Sequence, residues 1–314
     1  MRPLACIVGP TASGKSDVAE KVACVLGSPV VSVDAMQVYR GMDVGTAKVP
    51  AEERMAPLLM VDVADVGDDY SVSLFQRDAR ACVDALLARG VTPVLCGGTG
   101  LYLNAVVDEM EFPAGETAGE RRQRWERVLS ASGERGLWSV LARRDPASAE
   151  LIHPNNARRV VRALEMLDEG TSYAAHHEGL HVRRPHYDYR IWGLTMDRER
   201  LYRRIDERVD HMFDAGLVEE VQGLCEMGLE GALTSRQAIG YKEVLDALAG
   251  RCTMDEASEL VKARTRRYAK RQLSFFRHDE RVTWINLDER THDEAARQII
   301  AELEGTAAGG ACRG

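Results

Sequence analysis

The stretch Gly9-Pro10-Thr11-Ala12-Ser13-Gly14-Lys15-Ser16 constrains this chain more than any other. It follows an apolar run, Leu4 to Val8, and leads into a helical pattern from Asp17 to Leu26. Strand, glycine-bounded loop ending in Lys-Ser, then helix is the context that the P-loop pattern requires. Glycines at 9 and 14 let backbone N–H groups turn inward around an anion. The helix start adds the positive end of its dipole. Lys15 supplies charge to phosphate oxygens, and the Ser16 hydroxyl suits a Mg²⁺ ion carried with them. Residues 9–16 are therefore expected to hold a diphosphate or triphosphate. The motif alone does not say what is transferred.

The chain then alternates strand and helix. Gly27 closes the first helix, and Val30 to Val33 reads as a buried parallel strand that delivers Asp34 at its C-terminal end. Ligands of open α/β sheets sit at those ends. Ala35 to Lys48 is a polar loop with glycines at 41 and 45 and little periodicity, the character of a functional loop. Leu58 to Val61 reads as a third strand, ending at Asp62. Ser73 with Gln76 forms a capping-box pattern for a helix over Leu74–Arg89, closed by Gly90. Val91 to Cys96 reads as a fourth strand running into Gly97-Gly98-Thr99-Gly100-Leu101-Tyr102. Such alternation predicts a parallel sheet.

Near Phe112-Pro113 the pattern changes. From there to about Tyr187 it shows helices and loops, many arginines and no convincing strand. Within it, His153-Pro154-Asn155-Asn156 caps a helix whose first turns carry Arg158, Arg159 and Arg162. A solvated helix face and a nucleic-acid contact both fit that pattern. Arg190 to Leu194 reads as a strand returning to the sheet. The expected fold class is α/β: a P-loop NTPase-like parallel-sheet core, residues 1–112 and 188–304, with an inserted all-helical domain, 113–187. Further on, Asp197 caps a helix to about Ala215 that carries Arg204 and Arg208 on one face. Thr253 with Glu256 caps a helix reaching about Phe276. From Lys262 to Arg277 this helix holds seven basic residues and no acid, interleaved with Tyr268, Phe275 and Phe276. Val282 to Leu287 reads as a last strand, Thr291 with Glu294 caps a final helix, and 305–314 has the composition of a disordered tail.

The net charge of −8 argues against bulk electrostatic capture of nucleic acid but leaves room for local basic patches. The seven cysteines include no C-x-x-C pair, so neither a zinc site nor a disulfide framework is expected. No apolar run is long enough to span a bilayer, and the first strand begins too early for a leader peptide. The expected compartment is the cytoplasm.

A P-loop NTPase commonly carries an acid at the end of a buried strand. Asp34 and Asp62 are the two candidates; the strand ending at Cys96 runs into Gly97-Gly98-Thr99 with no carboxylate. On residue type and place alone, Asp34 suits a metal ligand, a general base or a structural acid. The blocks Gly9–Ser16, Asp34–Lys48 (D-A-M-Q-V-Y-R-G-M-D-V-G-T-A-K) and Gly97–Tyr102 resemble the bacterial tRNA dimethylallyltransferase family. So do Asn155–Glu165, Ala238–Tyr241 and Arg267–Arg277, and the resemblance covers about residues 3–287. Two positions depart from the family pattern: Pro57-Leu58 replaces a usual His-His pair, and Ala35 replaces a common Ser.

The resemblance implies transfer of a dimethylallyl group from its diphosphate to N6 of an adenosine beside the tRNA anticodon. It further implies a loop that holds the diphosphate leaving group through Lys15, Ser16 and Mg²⁺, with Arg208 as a further contact. Asp34 is implied as the base that takes the N6 proton, with Thr99 hydrogen-bonding the base or Asp34, and Gln37 placed to hold the flipped adenosine. Implied tRNA contacts are Asp34, Ala35, Met36, Gln37, Thr99, Arg158, Arg159, Val160, Val161, Arg162, Lys270 and Arg271. The implied partners are an anticodon stem-loop and dimethylallyl diphosphate, with no membrane and no protein partner. Three rivals remain. An adenylate isopentenyltransferase needs neither the insert nor the basic helix. An ATP-dependent kinase sits poorly with the missing acid after Cys96. A non-catalytic RNA-binding protein would have no reason to keep Lys15, Ser16, Asp34 and Thr99 together.

Overall fold

The computed structural model describes residues 3–112, 119–179 and 183–310. β1 (Leu4–Val8) is buried throughout and passes through the glycine loop into α1 (Lys15–Leu26). Gly14 takes the N-cap of α1 at φ 89°, so the helix starts at Lys15 rather than at the expected Asp17. β2 (Val30–Ser32) and β3 (Leu58–Leu59) follow. β3 stops short of the expected Val61 because Met60 and Asp62 adopt φ 61° and 56°, a conformation that no strand sustains. α2 (Val72–Ala88) is capped by Ser71, whose hydroxyl accepts from the Leu74 N–H at 3.2 Å, not by Ser73. Gln76 instead donates across to the Ala105 carbonyl at 2.8 Å. β4 (Val94–Gly97) leads into α3 (Gly100–Val107).

Four helices come next: α4 (Glu120–Arg144), α5 (Pro146–Leu151), α6 (Ala157–Asp168) and α7 (Tyr173–Gly179). The chain then forms β5 (Tyr189–Thr195), α8 (Arg198–Asp214), α9 (Leu217–Glu226) and α10 (Tyr241–Leu248). It ends with α11 (Met254–Arg277), β6 (Val282–Asn286) and α12 (His292–Gly310). Asp197 caps α8 by accepting from the Glu199 and Arg200 N–H groups at 2.8 and 3.1 Å. Thr253 and Glu256 form their reciprocal box on α11. α12 is helical to Gly310 where a disordered tail was expected from 305, and residues 311–314 lie outside the described residues.

The six strands form one parallel sheet in the order β3-β2-β4-β1-β5-β6. Period-two alternation along β1 sends Leu4, Cys6 and Val8 to one face and Ala5 and Ile7 to the other. The first face packs on Phe75, Leu103, Val221 and Tyr241 of α2, α3, α9 and α10. The second packs on Val18, Val22, Ile205 and Ile299 of α1, α8 and α12. A sheet covered on both faces needs apolar residues on both sides of each strand, which is why the strands read as continuous apolar runs.

The chain divides into two compact units, residues 1–107 with 186–314, and residues 108–185. The unit boundaries fall a few residues from those expected at 112/113 and 187/188. The second unit has its own core, built from Trp125, Leu137, Leu141, Ile152, Val160, Val161 and Leu164. Gly133, at φ 71°, breaks α4 into two segments.

Candidate active site

The parallel registers Val8↔Gly97 and Ser32↔Cys96 bring the C-terminal ends of β1, β4 and β2 level. Three loops therefore leave the same edge side by side: Gly9–Gly14, Val33–Asp34 and Gly98–Thr99. This is where an open α/β sheet places its ligand. Gly97 permits the approach, since a Cβ there would lie 2.5 Å from the Val33 carbonyl oxygen.

Beneath the phosphate loop lies a cavity of 150 Å³ lined by Thr11, Lys15, Ser16, Asp34, Arg208 and Gln272, among others. A neighbouring cavity of 430 Å³ shares Thr11, Asp34, Arg208 and Tyr268 and adds Met36, Met212 and Ile239. The two form one cleft, polar on the phosphate-loop side and more apolar beyond. Leu58, in place of the usual histidine pair, lines the smaller cavity.

Two cations define the polar side. Lys15 Nζ lies 3.4 Å from the Pro10 carbonyl, and its pKa is lowered from the ordinary lysine value. Burial is the main cause; Arg208 adds to it, while Cys96 and Asp34 oppose it. Arg208 donates to the Thr11 hydroxyl at 3.4 Å and is likewise lowered, by burial first and by Arg204 second. Arg204 supports the loop by donating to the Ala12 carbonyl at 2.8 Å, with Ala12 itself at φ 63°. Paired cations held below their usual pKa in a pocket call for an anion. The first-turn N–H groups of α1 have no intrahelical acceptors and face the same need. Not every loop amide is available, since the Thr11 N–H is already donated to Gln272 at 2.8 Å. Burial pushes the Cys96 thiol, beside Ser16, up to about 11, so it stays protonated and inert.

Asp34 is half-buried, and its Oδ1 accepts from the Met36 N–H at 2.9 Å and more weakly from the Gln37 N–H at 3.4 Å. This Asx turn orients the carboxylate into the cleft. Thr99 Oγ1 accepts from the Ala35 N–H at 3.3 Å, which leaves its own proton to donate. Gln37 accepts from the Ser32 hydroxyl at 2.9 Å and donates to the Thr46 carbonyl at 3.3 Å; one lone pair and one N–H remain for a ligand. Asp62, the alternative acid, is committed elsewhere. It accepts from Lys48 Nζ at 2.7 Å, and Lys48, itself buried, also reaches Asp43 at 2.5 Å and the Tyr39 carbonyl at 3.2 Å.

Tyr268, named above only as an aromatic among the cations, and Gln272 both line the cleft. Gln272 is 5 % exposed and bridges two loops, accepting from the Thr11 N–H and donating to the Gly98 carbonyl at 3.0 Å. Tyr268 sits one turn before it, against Thr99, with its phenol pushed up to about 12 by burial and by Asp34. Their shared helix face was the available signal, hidden among seven cations. Those cations divide. Lys262 pairs with Asp210 at 2.7 Å, and Arg264 and Arg266 pair with Glu243 and Asp206. Arg267, Lys270, Arg271 and Arg277 are exposed and form no ion pair among the described residues.

In the helical unit, Arg158 and Arg159 are exposed. Arg162 is half-buried and lies 3.7 Å from Glu165. Val160 and Val161, expected as tRNA contacts, are 0 and 2 % exposed and belong to that unit's core. The helical period explains the correction: between Arg159 and Arg162 the chain turns inward.

Residues 37–279 match the family model described as IPP transferase, and residues 3–57 match that described as isopentenyl transferase. The chain is 49 % identical over 310 residues to the tRNA dimethylallyltransferase of Kineococcus radiotolerans, covering 96 % of each chain. It resembles the crystal structure of the tRNA isopentenylpyrophosphate transferase from Bacillus halodurans with a TM-score of 0.71 at 40 % identity, covering 97 % of this chain and 96 % of that one. A eukaryotic dimethylallyltransferase solved acting on tRNA has a TM-score of 0.73 at 25 % identity, covering 91 % of this chain and 74 % of that one. With the family model spanning most of its length and its relatives matched nearly end to end, the chain belongs to the IPP transferase family.

Proposed function

We propose that this chain transfers a dimethylallyl group from dimethylallyl diphosphate to N6 of the adenosine beside a tRNA anticodon, releasing diphosphate. The observation that carries the reading is one cleft lined both by the cation pair Lys15 and Arg208 and by the carboxylate of Asp34. The diphosphate lies in the Gly9–Ser16 loop, and its growing charge is met by Lys15, Arg208 and the first-turn N–H groups of α1. The dimethylallyl chain takes the apolar side, and the allylic carbon meets the adenine amine near Asp34. That amine is barely basic and sheds a proton as the C–N bond forms; Asp34 accepts it. Thr99 donates to Asp34 or to the base, and Gln37 holds the base through its remaining donor and acceptor.

Ser16 lines the cleft beside Lys15. Among the described residues no three His, Cys, Asp or Glu side chains form a metal cage. The Ser16 hydroxyl, an oxygen donor beside Lys15, would hold a Mg²⁺ ion carried with the diphosphate. When bound, the ion supplies further charge neutralisation to the leaving group. The RNA is held by the exposed cations Arg267, Lys270, Arg271 and Arg277 on α11 and by Arg158 and Arg159 of the helical unit. Arg162, beside Glu165, contributes less.

No helix of the described chain is long and apolar enough to cross a membrane. We assign the enzyme to the cytoplasm, where tRNA is found.

The deciding experiment incubates the protein with dimethylallyl diphosphate and either an anticodon stem-loop RNA or AMP, then analyses nucleosides by mass spectrometry. Dimethylallyl adenosine from the RNA alone is expected. Product from AMP alone would point to a free-nucleotide transferase, and ATP consumption would point to a kinase.

A further inference from the structure

The chemistry above gives no role to Tyr241 or to α9, yet both reach the cleft by a chain of hydrogen bonds. Gly240, at φ 98°, opens α10 and donates its N–H to Glu243 at 2.7 Å. This turn buries Tyr241 completely and aims its hydroxyl at Glu220, to which it donates at 2.5 Å. The same Glu220 carboxylate accepts three consecutive backbone N–H groups, from Asp43 at 2.9 Å, Val44 at 2.7 Å and Gly45 at 3.2 Å. Successive amides converging like this form an anion-binding nest. Here the anion is the protein's own side chain, 175 residues away in sequence from Gly45. Gly45 is pressed flat on the Tyr241 ring, where a Cβ would come within 2.5 Å. Burial, and then the Glu220 carboxylate, hold the Tyr241 phenol far above its usual range, so it remains a donor.

The next residues line the cleft. Thr46 and Ala47 border both cavities, and the Thr46 carbonyl accepts from Gln37 Nε2 at 3.3 Å. We propose that Glu220 and Tyr241 are positioning residues for the acceptor: by clamping Asp43–Gly45 they fix the Thr46 carbonyl, and through it the Gln37 carboxamide that meets the adenine. The proposal rests on Gln37 holding the acceptor base, as read above. Among the described residues the clamp makes no hydrogen bond to the phosphate loop, so its main effect is expected on the acceptor.

The test uses the full chain with Glu220→Gln, Tyr241→Phe and Gln37→Ala. Glu220→Gln keeps the size but puts an NH₂ group where an N–H must be accepted. Steady-state kinetics on an anticodon stem-loop RNA, calorimetric affinity for inorganic diphosphate and melting temperature are measured together. The expected result for Glu220→Gln is a rise in the RNA KM of about tenfold or more, as for loss of a charge-assisted hydrogen bond. Diphosphate affinity should stay within about twofold of wild type, because both cations and the loop are intact. Tyr241→Phe keeps the ring and should shift the RNA KM in the same direction by less; it also serves if Glu220→Gln does not fold. An unchanged RNA KM in both folded variants overturns the clamp, and so does a parallel loss of diphosphate affinity and melting temperature. A normal RNA KM in Gln37→Ala overturns the reading of Gln37 itself, which separates the two failures.

Discussion

At Asp34 three roles predict three different losses. Asp34→Asn keeps the volume and can still accept from Met36 and Gln37, but its amide cannot take a proton. A base role puts the loss on kcat, about 10²–10⁴-fold, with both substrates still bound. A metal role would lower the Mg²⁺ affinity, with activity partly restored by excess ion, and a structural role would lower the melting temperature. Single-turnover rates across a Mg²⁺ series decide among them. Asp62 is no substitute, since it is locked to Lys48. Lys15 presents the opposite case, a proposed diphosphate contact whose burial costs stability. Burial, the main cause, lowers its pKa in the fold, while the unfolded chain keeps the ordinary lysine value of 10.5. Between the lowered value and 10.5 the unfolded state binds more protons, so stability rises with pH across that window. Lys15→Met should flatten that rise and raise Tm at neutral pH by roughly 2–4 °C, while abolishing diphosphate binding. Calorimetric scans at several pH values check the first part and titration the second. Lys15 and Asp34 were legible because their meaning lies within a few neighbouring residues. Gln272 was not, because its meaning is a hydrogen bond to Thr11, 261 positions away.

Among the elements, helix starts with a single nearby cap were legible and β3 was not. Asp197, Thr253 and Thr291 each satisfy first-turn amides within three residues, a purely local match. α2 starts two residues before the expected position because Ser71 and Ser73 both offer a hydroxyl and it is Ser71 that accepts from the Leu74 N–H. α11 shows what a charge count leaves out. Its seven basic residues look alike in sequence, but the first three are bound to Asp210, Glu243 and Asp206. Neutralising Lys270 and Arg271 together should therefore weaken RNA binding and reduce its log–log salt slope by about 2. Neutralising Lys262 and Arg266 should leave the slope unchanged. Filter binding over a salt series distinguishes the two pairs.

For the whole molecule, the alternation of apolar runs was enough to foresee a parallel sheet interrupted by helices, because each layer announces its own period. The strand order was beyond reach, since any parallel strand pairs with any other. The helical unit has a core of its own, and Leu141 is fully buried in it. Leu141→Ala should destabilise residues 108–185 by about 2–5 kcal/mol. Hydrogen exchange should show that loss confined to this unit, with RNA binding weakened and diphosphate affinity intact; uniform loss of protection would contradict it. Within the catalytic unit the two substrates do not have the same independence. The carboxamide of Gln272 ends on the Gly9–Gly14 loop, proposed to hold the diphosphate, and on the turn that carries Thr99, proposed to face the adenosine. Such a bridge makes the affinity for each product depend on whether the other is still there, and by equal factors. In the proposed reaction the spent diphosphate and the modified RNA are therefore expected to leave as linked events, neither release being independent of the other.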